Sequence, residues 1–331
     1  MHAMNRIMYT LAAAMVASGL ASAHAAPTPK WTIETLGNLG GGGTIAFGVN
    51  NRGDIVGYGH TADLSIRAFL WQNGTITAIT ATNPRFSDAL WAINEKGVAV
   101  GTDNAEQKLW KDGTWAPIGV EGGQADINKF GDVAGTRFTG NATRGYAFLD
   151  GVMYQIPSLG PASEISLSSS GNAINDKGVV VGGAQVTFGV THAYAWQNGT
   201  MTDLGTLGGN ISVATDVNSH GVIVGQSSDA SNVLRAFVYD RGSMQPVCGI
   251  SQASDAQAIN DHGAIVGNIG SFKGYLCDGG VLTVLNDIPE VQAAGWRQVF
   301  PFDINDRGWI VGWGFKTGGS PNGESFVLIP K

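Results

Sequence analysis

Charge is scarce in this sequence. Asp, Glu, Lys and Arg make up 14% of 331 residues, with 19 basic side chains against 26 acidic ones. No Lys/Arg run or stripe is present. Nucleic-acid binding rests on such a positive footprint, so that partner is excluded. Cysteine is nearly absent: only Cys248 and Cys277 occur, so no Cys/His cluster has zinc spacing. No segment carries apolar residues at the 3.6-residue period of an amphipathic helix, which excludes helical repeats. The nucleophile elbow G-x-S-x-G and the zinc motif H-E-x-x-H are both missing. These absences weigh against an enzyme without removing one, because acid and base groups scattered over loops leave no linear motif.

What is abundant is glycine, 49 residues, beside a hydrophobic content of 43%. That combination reads as an all-β protein with many tight turns and a real core. Residues 1–25 read as a secretory signal peptide: one early Arg, an apolar run, and small residues at Ala23 and Ala25 before a cleavage site. The run breaks into small residues too early to cross a bilayer, and no later segment is apolar for about 18 residues. The expectation is a secreted or periplasmic bacterial protein, cleaved near Ala25, with no membrane span.

From residue 26 onward one phrase recurs seven times, as in "INDKGVVVGG" (174–183) and "VNSHGVIVGQ" (217–226). Its turn asparagines are Asn50, Asn94, Asn128, Asn175, Asn218, Asn260 and Asn305, spaced 34 to 47 residues apart. A period in the low forties is that of a four-stranded propeller blade. Each Asn-x-x-Gly predicts a turn whose Asn accepts backbone hydrogen bonds. A second turn per unit, such as "QNG" (72–74 and 197–199) or "DRG" (240–242), predicts a hairpin. The seventh unit lacks a fourth strand, and "WTIETLG" (31–37) matches that slot. The expected fold is therefore a single seven-bladed β-propeller over residues 26–331, made of four-stranded antiparallel blades and closed by the N-terminal strand. The glycine ending each second strand, from Gly57 to Gly312, predicts close backbone approach.

The third strand and its turn read "RAFLWQNG", "HAYAWQNG" and "RAFVYDRG", followed in one unit by "LGTLGG" (204–209). Together with the Asn-x-x-Gly phrase these resemble the extracellular HAF-repeat proteins, over essentially the whole mature chain. No unit keeps all three letters of His-Ala-Phe; "HAY" keeps His192 and Ala193. The resemblance implies an exported bacterial propeller and little about chemistry.

Both tight turns leave a unit at one end of the ring, whereas the opposite end carries long, variable connections. Variable loops on a rigid scaffold are where binding sites concentrate. There, "NPRFSDALW" offers Arg85, Asp88 and Trp91, and "AAGWRQVFPF" offers Trp296 and Arg297. Aromatic rings beside arginines suit stacking on a sugar and pairing with a carboxylate. His192 and His60 fall on the same face, while His220 and His262 sit in turns of the other. Asp126, Asp216 and Asp303 recur two residues before the turn asparagine, placed either to gather a cation or to accept N–H bonds from a neighbouring blade. The expected function is a binding module, monomeric, for a glycan or extracellular protein, needing no cofactor or metal. The alternatives are a polysaccharide lyase or hydrolase with His192 or Asp88 as proton carrier, and a structural envelope protein. Cys248 and Cys277 are expected at opposite heights of the ring, as free thiols.

Overall fold

The computed structural model describes residues 30–331 apart from 84–86, 141 and 271. The expected signal peptide and Arg85 lie outside the described residues. The chain is built of antiparallel four-stranded units. The unit around Asn218 is representative: strands Gly208–Val217, Ile223–Asp229, Leu234–Asp240 and Ser243–Pro246 pair in sequence order. Between the first two strands, the Gly221 amide donates to the Asn218 carbonyl and Asn218 Oδ1 accepts from His220 and Val222. The second turn places Arg241 and Gly242 at φ 48 and 83. Positive φ at both central residues is the type I′ geometry that matches strand twist.

Asparagine does more than close its own turn. Its Nδ2 donates to the backbone carbonyl of the corresponding asparagine in the next unit: Asn50 to Asn94, and onward through Asn128, Asn175, Asn218, Asn260 and Asn305. The last of these donates to the Asn50 carbonyl at 2.8 Å. Each buried amide thus accepts within its own turn and donates a second hydrogen bond to its neighbour's turn carbonyl, as burial of polar atoms demands.

The fourth strand of the last unit comes from the N-terminal segment. Trp31–Thr35 pairs antiparallel with Glu324–Pro330, from Trp31 opposite Pro330 to Thr35 opposite Phe326. The short 34-residue spacing between Asn94 and Asn128 also has a structural reason. Strand Thr114–Ile127 pairs first with Glu106–Lys111 and then with Val133–Phe138, so it passes from one unit to the next with no loop.

The core lies between neighbouring sheets. Third-strand aromatics (Phe69, Tyr146, Tyr194, Phe237, Tyr275 and Phe326) are fully buried, each contributing roughly 2–3 kcal/mol of burial. Among the described residues no helix is long and apolar enough to cross a membrane.

The cysteines depart from expectation: Cys248 and Cys277 form a disulfide, with Cα atoms 6.1 Å apart. The fourth strand ends at Pro246 instead of running on, and the chain turns through Val247–Gly249 with Cys248 at φ 45. That turn folds Cys248 against the sheet that carries Cys277, into one apolar cluster with Val247 and Ile265. Reduction is expected to lower stability by about 2–4 kcal/mol. The measurement is the urea midpoint with and without reductant, and an unchanged midpoint would refute this.

Candidate functional site

A repeated irregularity in the innermost strands builds the site. In five units the pairing with the second strand slips by one residue, leaving Phe47, Trp91, Thr215, Gln257 and Phe302 unpaired. Each is a β-bulge three residues before the turn asparagine. A regular strand sends successive side chains to opposite faces; a bulge re-aims one of them. Here residues two and three positions before the asparagine both line a cavity bounded by all of the repeats.

The second-strand glycines make the bulge possible. A β-carbon on Gly57 would fall on the carbonyl oxygen of Ile45, and one on Gly225 on that of Val213. Gly101, Gly182, Gly267 and Gly312 oppose carbonyls in the same way, at Ala89, Ser170, Asp255 and Phe300. The buried third-strand ring closes the arrangement, with Phe237 Cε1 2.9 Å from the position of a Gly225 β-carbon.

The cavity holds about 240 Å³ and shares Gln124, Asn172, Thr215 and Gln257 with an adjoining space of about 370 Å³. Its two sides differ. Phe302, from the last unit, and Phe47 and Trp91, from the first two, form an aromatic wall. Phe47 stacks on Phe302 at 5.3 Å and meets Trp91 edge-on at 5.0 Å, while Tyr58 packs behind at 5.6 Å from Phe47. The amide and hydroxyl groups of Gln124, Asn172, Thr215 and Gln257 form the other wall.

Asp126, Asp216 and Asp303 complete the lining. Each accepts a backbone N–H from another unit: Ile174, Ile259 and Val49, at 2.8 to 2.9 Å. Asp216 and Asp303 also accept from the residue that follows them, Val217 and Ile304. Of the two roles open to these carboxylates, stapling one unit to its neighbour is the one these bonds describe. Among the described residues no group of three His, Cys, Asp or Glu side chains is arranged to hold a metal. Burial, then repulsion from Asp126 and Asp303, pushes the Asp216 carboxyl up to about 8. Burial pushes Asp303 up to about 6, and it raises Asp126 as well.

Of the residues expected to form a site, Trp296 and Arg297 share one surface hollow, and Trp91 lines a different cavity, the one described above. Asp88 is corrected: it is 1% exposed and accepts the Ala68 N–H at 2.9 Å, with Arg67 beside it at 3.2 Å. Ser169, Ser212 and Ser254 accept the third-strand amides of Gly145, Ala193 and Ala236 in the same manner. Asp88 therefore fills a stapling slot at the start of a strand, not a loop position. Trp296 is corrected too. At 4% exposed it packs edge-on against Phe326 at 5.5 Å, in the core. Arg297 is exposed and borders a separate surface hollow with Phe272 and Lys273. His192 lies on a different strand, its Nδ1 2.9 Å from Asp203. Reasoning from sequence does not find Phe47, Phe302, Asn172, Thr215 or Gln257. Their signal is positional: all stand three residues before a turn asparagine.

No protein-family model and no curated protein matches the chain. Solved structures do. The β-propeller domain of the Trilobed protease from Pyrococcus furiosus, described as having an open velcro topology, aligns at a TM-score of 0.52. Identity is 13%, over 86% of this chain and 95% of that one. The likeness is one of fold: a β-propeller. Two further structures agree. Pyrococcus horikoshii acylaminoacyl peptidase aligns at 0.53 with 12% identity, over 86% of this chain and 51% of the peptidase. An extracellular domain of a one-component system from B. thetaiotaomicron aligns at 0.56 with 9% identity, over 89% of this chain and 39% of that one. At such identities the propeller shares architecture with these proteins and nothing further follows about its chemistry.

Proposed function

We propose that the chain is an exported, closed seven-bladed propeller of the HAF-repeat type that binds a carbohydrate in its axial cavity. Closure is supported by the asparagine bonds that run from unit to unit and return from Asn305 to Asn50, and by the pairing of Trp31–Thr35 with Glu324–Pro330. The Cys248–Cys277 bond supports an oxidising compartment and hence export. The observation that carries the binding reading is the pairing of opposed walls, Phe302, Phe47 and Trp91 against Gln124, Asn172 and Gln257, in one hollow. Aromatic faces take the apolar face of a sugar ring, and amides take its hydroxyls. The site thus moves from the loop rim, where Arg85 and Arg297 were expected to act, to the axis.

Trp91→Ala is expected to weaken binding of the best ligand in an oligosaccharide panel by about tenfold, the magnitude of one stacked ring. Titration calorimetry reads this, and equal affinity in the variant sinks the reading. The enzymatic alternative has one observation in its favour, the contact of 2.9 Å between His192 Nδ1 and Asp203, in which a carboxylate orients an imidazole. Under that alternative, purified protein releases reducing ends or unsaturated products from a polysaccharide, and His192→Ala abolishes the release.

A further inference from the structure

The lining of the axial cavity is rich in hydrogen-bond acceptors and poor in positive charge. Among the described residues no Lys, Arg or His borders it. Three of its polar side chains turn donors away, toward the scaffold. Asn172 Nδ2 donates to the Ala214 carbonyl at 2.7 Å, Gln257 Nε2 to Asp255 at 2.8 Å, and Thr215 Oγ1 to the Ala256 carbonyl at 2.8 Å. An amide whose nitrogen faces the scaffold presents its oxygen on the other side. The carboxylates of Asp126, Asp216 and Asp303 offer acceptors only, apart from any proton they hold. Opposite them stand the ring faces of Phe47, Trp91 and Phe302, whose negative quadrupole attracts a cation and repels an anion.

We infer that the ligand carries a protonated amine, so that the carbohydrate class taken is an amino sugar with a free ammonium group and not a uronic acid. This rests on the axial cavity being the carbohydrate site. The ammonium donates to the acceptor oxygens of the lining, the aromatic wall covers the sugar ring, and a uronic acid finds no Lys, Arg or His there to pair with. Arg297, one of the two arginines that suggested a carboxylated ligand, borders a separate hollow and takes no part.

The test compares three probes by calorimetry at mildly acidic pH, where the amine is protonated. They are a β-1,4-linked glucosamine oligomer, its fully N-acetylated counterpart, and oligogalacturonate. The expected result is that the free amine binds at least about tenfold tighter than the acetylated form and that the uronate gives no heat. Asp216→Asn is the direct variant, but it removes an acceptor from the Ile259 or Val217 amide and is liable to disturb folding. Gln124→Lys avoids this, because Gln124 is exposed on the wall. It is expected to erase the preference for the free amine, while Trp91→Ala weakens both neutral and charged forms. Equal or tighter binding of the acetylated oligomer, or binding of the uronate, overturns the amine inference and leaves the carbohydrate reading standing. Absence of binding by all three sinks both. A Gln124→Lys variant that keeps the full preference overturns the inference alone.

Discussion

Gly225→Val is expected to cost at least about 4 kcal/mol, or to prevent folding, because the added carbons have nowhere to go. A β-carbon there lands on the Val213 carbonyl and lies 2.8 Å from Ala214 Cα and 2.9 Å from the Phe237 ring. Two of these three neighbours are backbone of the bulged strand, which cannot retreat without losing its pairing with Ile223–Asp229. Thr215, the bulged residue, would lose its place in the cavity wall with it. Gly242→Ala provides the comparison. Gly242 has φ 83 and nothing within 4 Å of its β-position, so only the left-handed backbone is penalised. That substitution is expected to cost about 1 kcal/mol. Urea denaturation of both variants decides the matter: similar losses would show that conformation, and not the approach of the carbonyl, dictates glycine at position 225.

Raising the pH from 5 to 9 is expected to destabilise the protein, against the common pattern. Asp216 and Asp303, held up at about 8 and 6 mainly by burial, keep protons in the folded state. The unfolded chain, with ordinary carboxyls near 4, has already released them. Stability then falls with pH, because the native state binds more protons than the unfolded one. The contribution is fully present below the unfolded value and is lost as pH rises through about 8. Each pH unit between the folded and unfolded values is worth about 1.4 kcal/mol, so the two groups together change stability by several kcal/mol. Asp103 works in the other direction. Burial alone would raise it, but hydrogen bonds from Thr82 and Lys108 overcome that and hold it below its usual range. Its contribution is present above the unfolded value and is lost as pH falls through the lowered one. The maximum of stability therefore lies on the acid side of neutrality. Urea midpoints at intervals across this range measure the slope, and Asp216→Asn is expected to flatten it while lowering the curve. Midpoints that hold steady or climb between pH 5 and 9 would contradict the account.

Much of the architecture was legible because its determinants are local. Asn-x-x-Gly specifies a turn by side-chain bonds within four residues, and "QNG" or "DRG" specifies a hairpin by positive φ. Repeated at a near-constant spacing, such turns predict four strands per unit wherever the alternation of apolar residues allows. The glycines ending the second strands were also legible as points of close approach. What approaches them, the carbonyl two residues before a bulge, was not. A bulge is a mismatch between two strands, and neither strand's sequence contains it alone. Trp91 is conspicuous as an aromatic beside Arg85, yet Phe47 and Phe302 in the same slot are not, because their common direction depends on that mismatch.

The sequence by itself determined the units, their turns and their order, since those rest on contacts between residues a few positions apart. Only the tertiary structure decided what faces the cavity, which carboxylates staple one unit to the next, and that the two cysteines meet. Asp88, Trp296 and Cys248 show why. Each is a residue whose role is set by a partner about 20 or more positions away in sequence, Ala68, Phe326 and Cys277 respectively. The distance to such a partner is fixed by how strands and sheets pack, and packing is a property of the assembled fold.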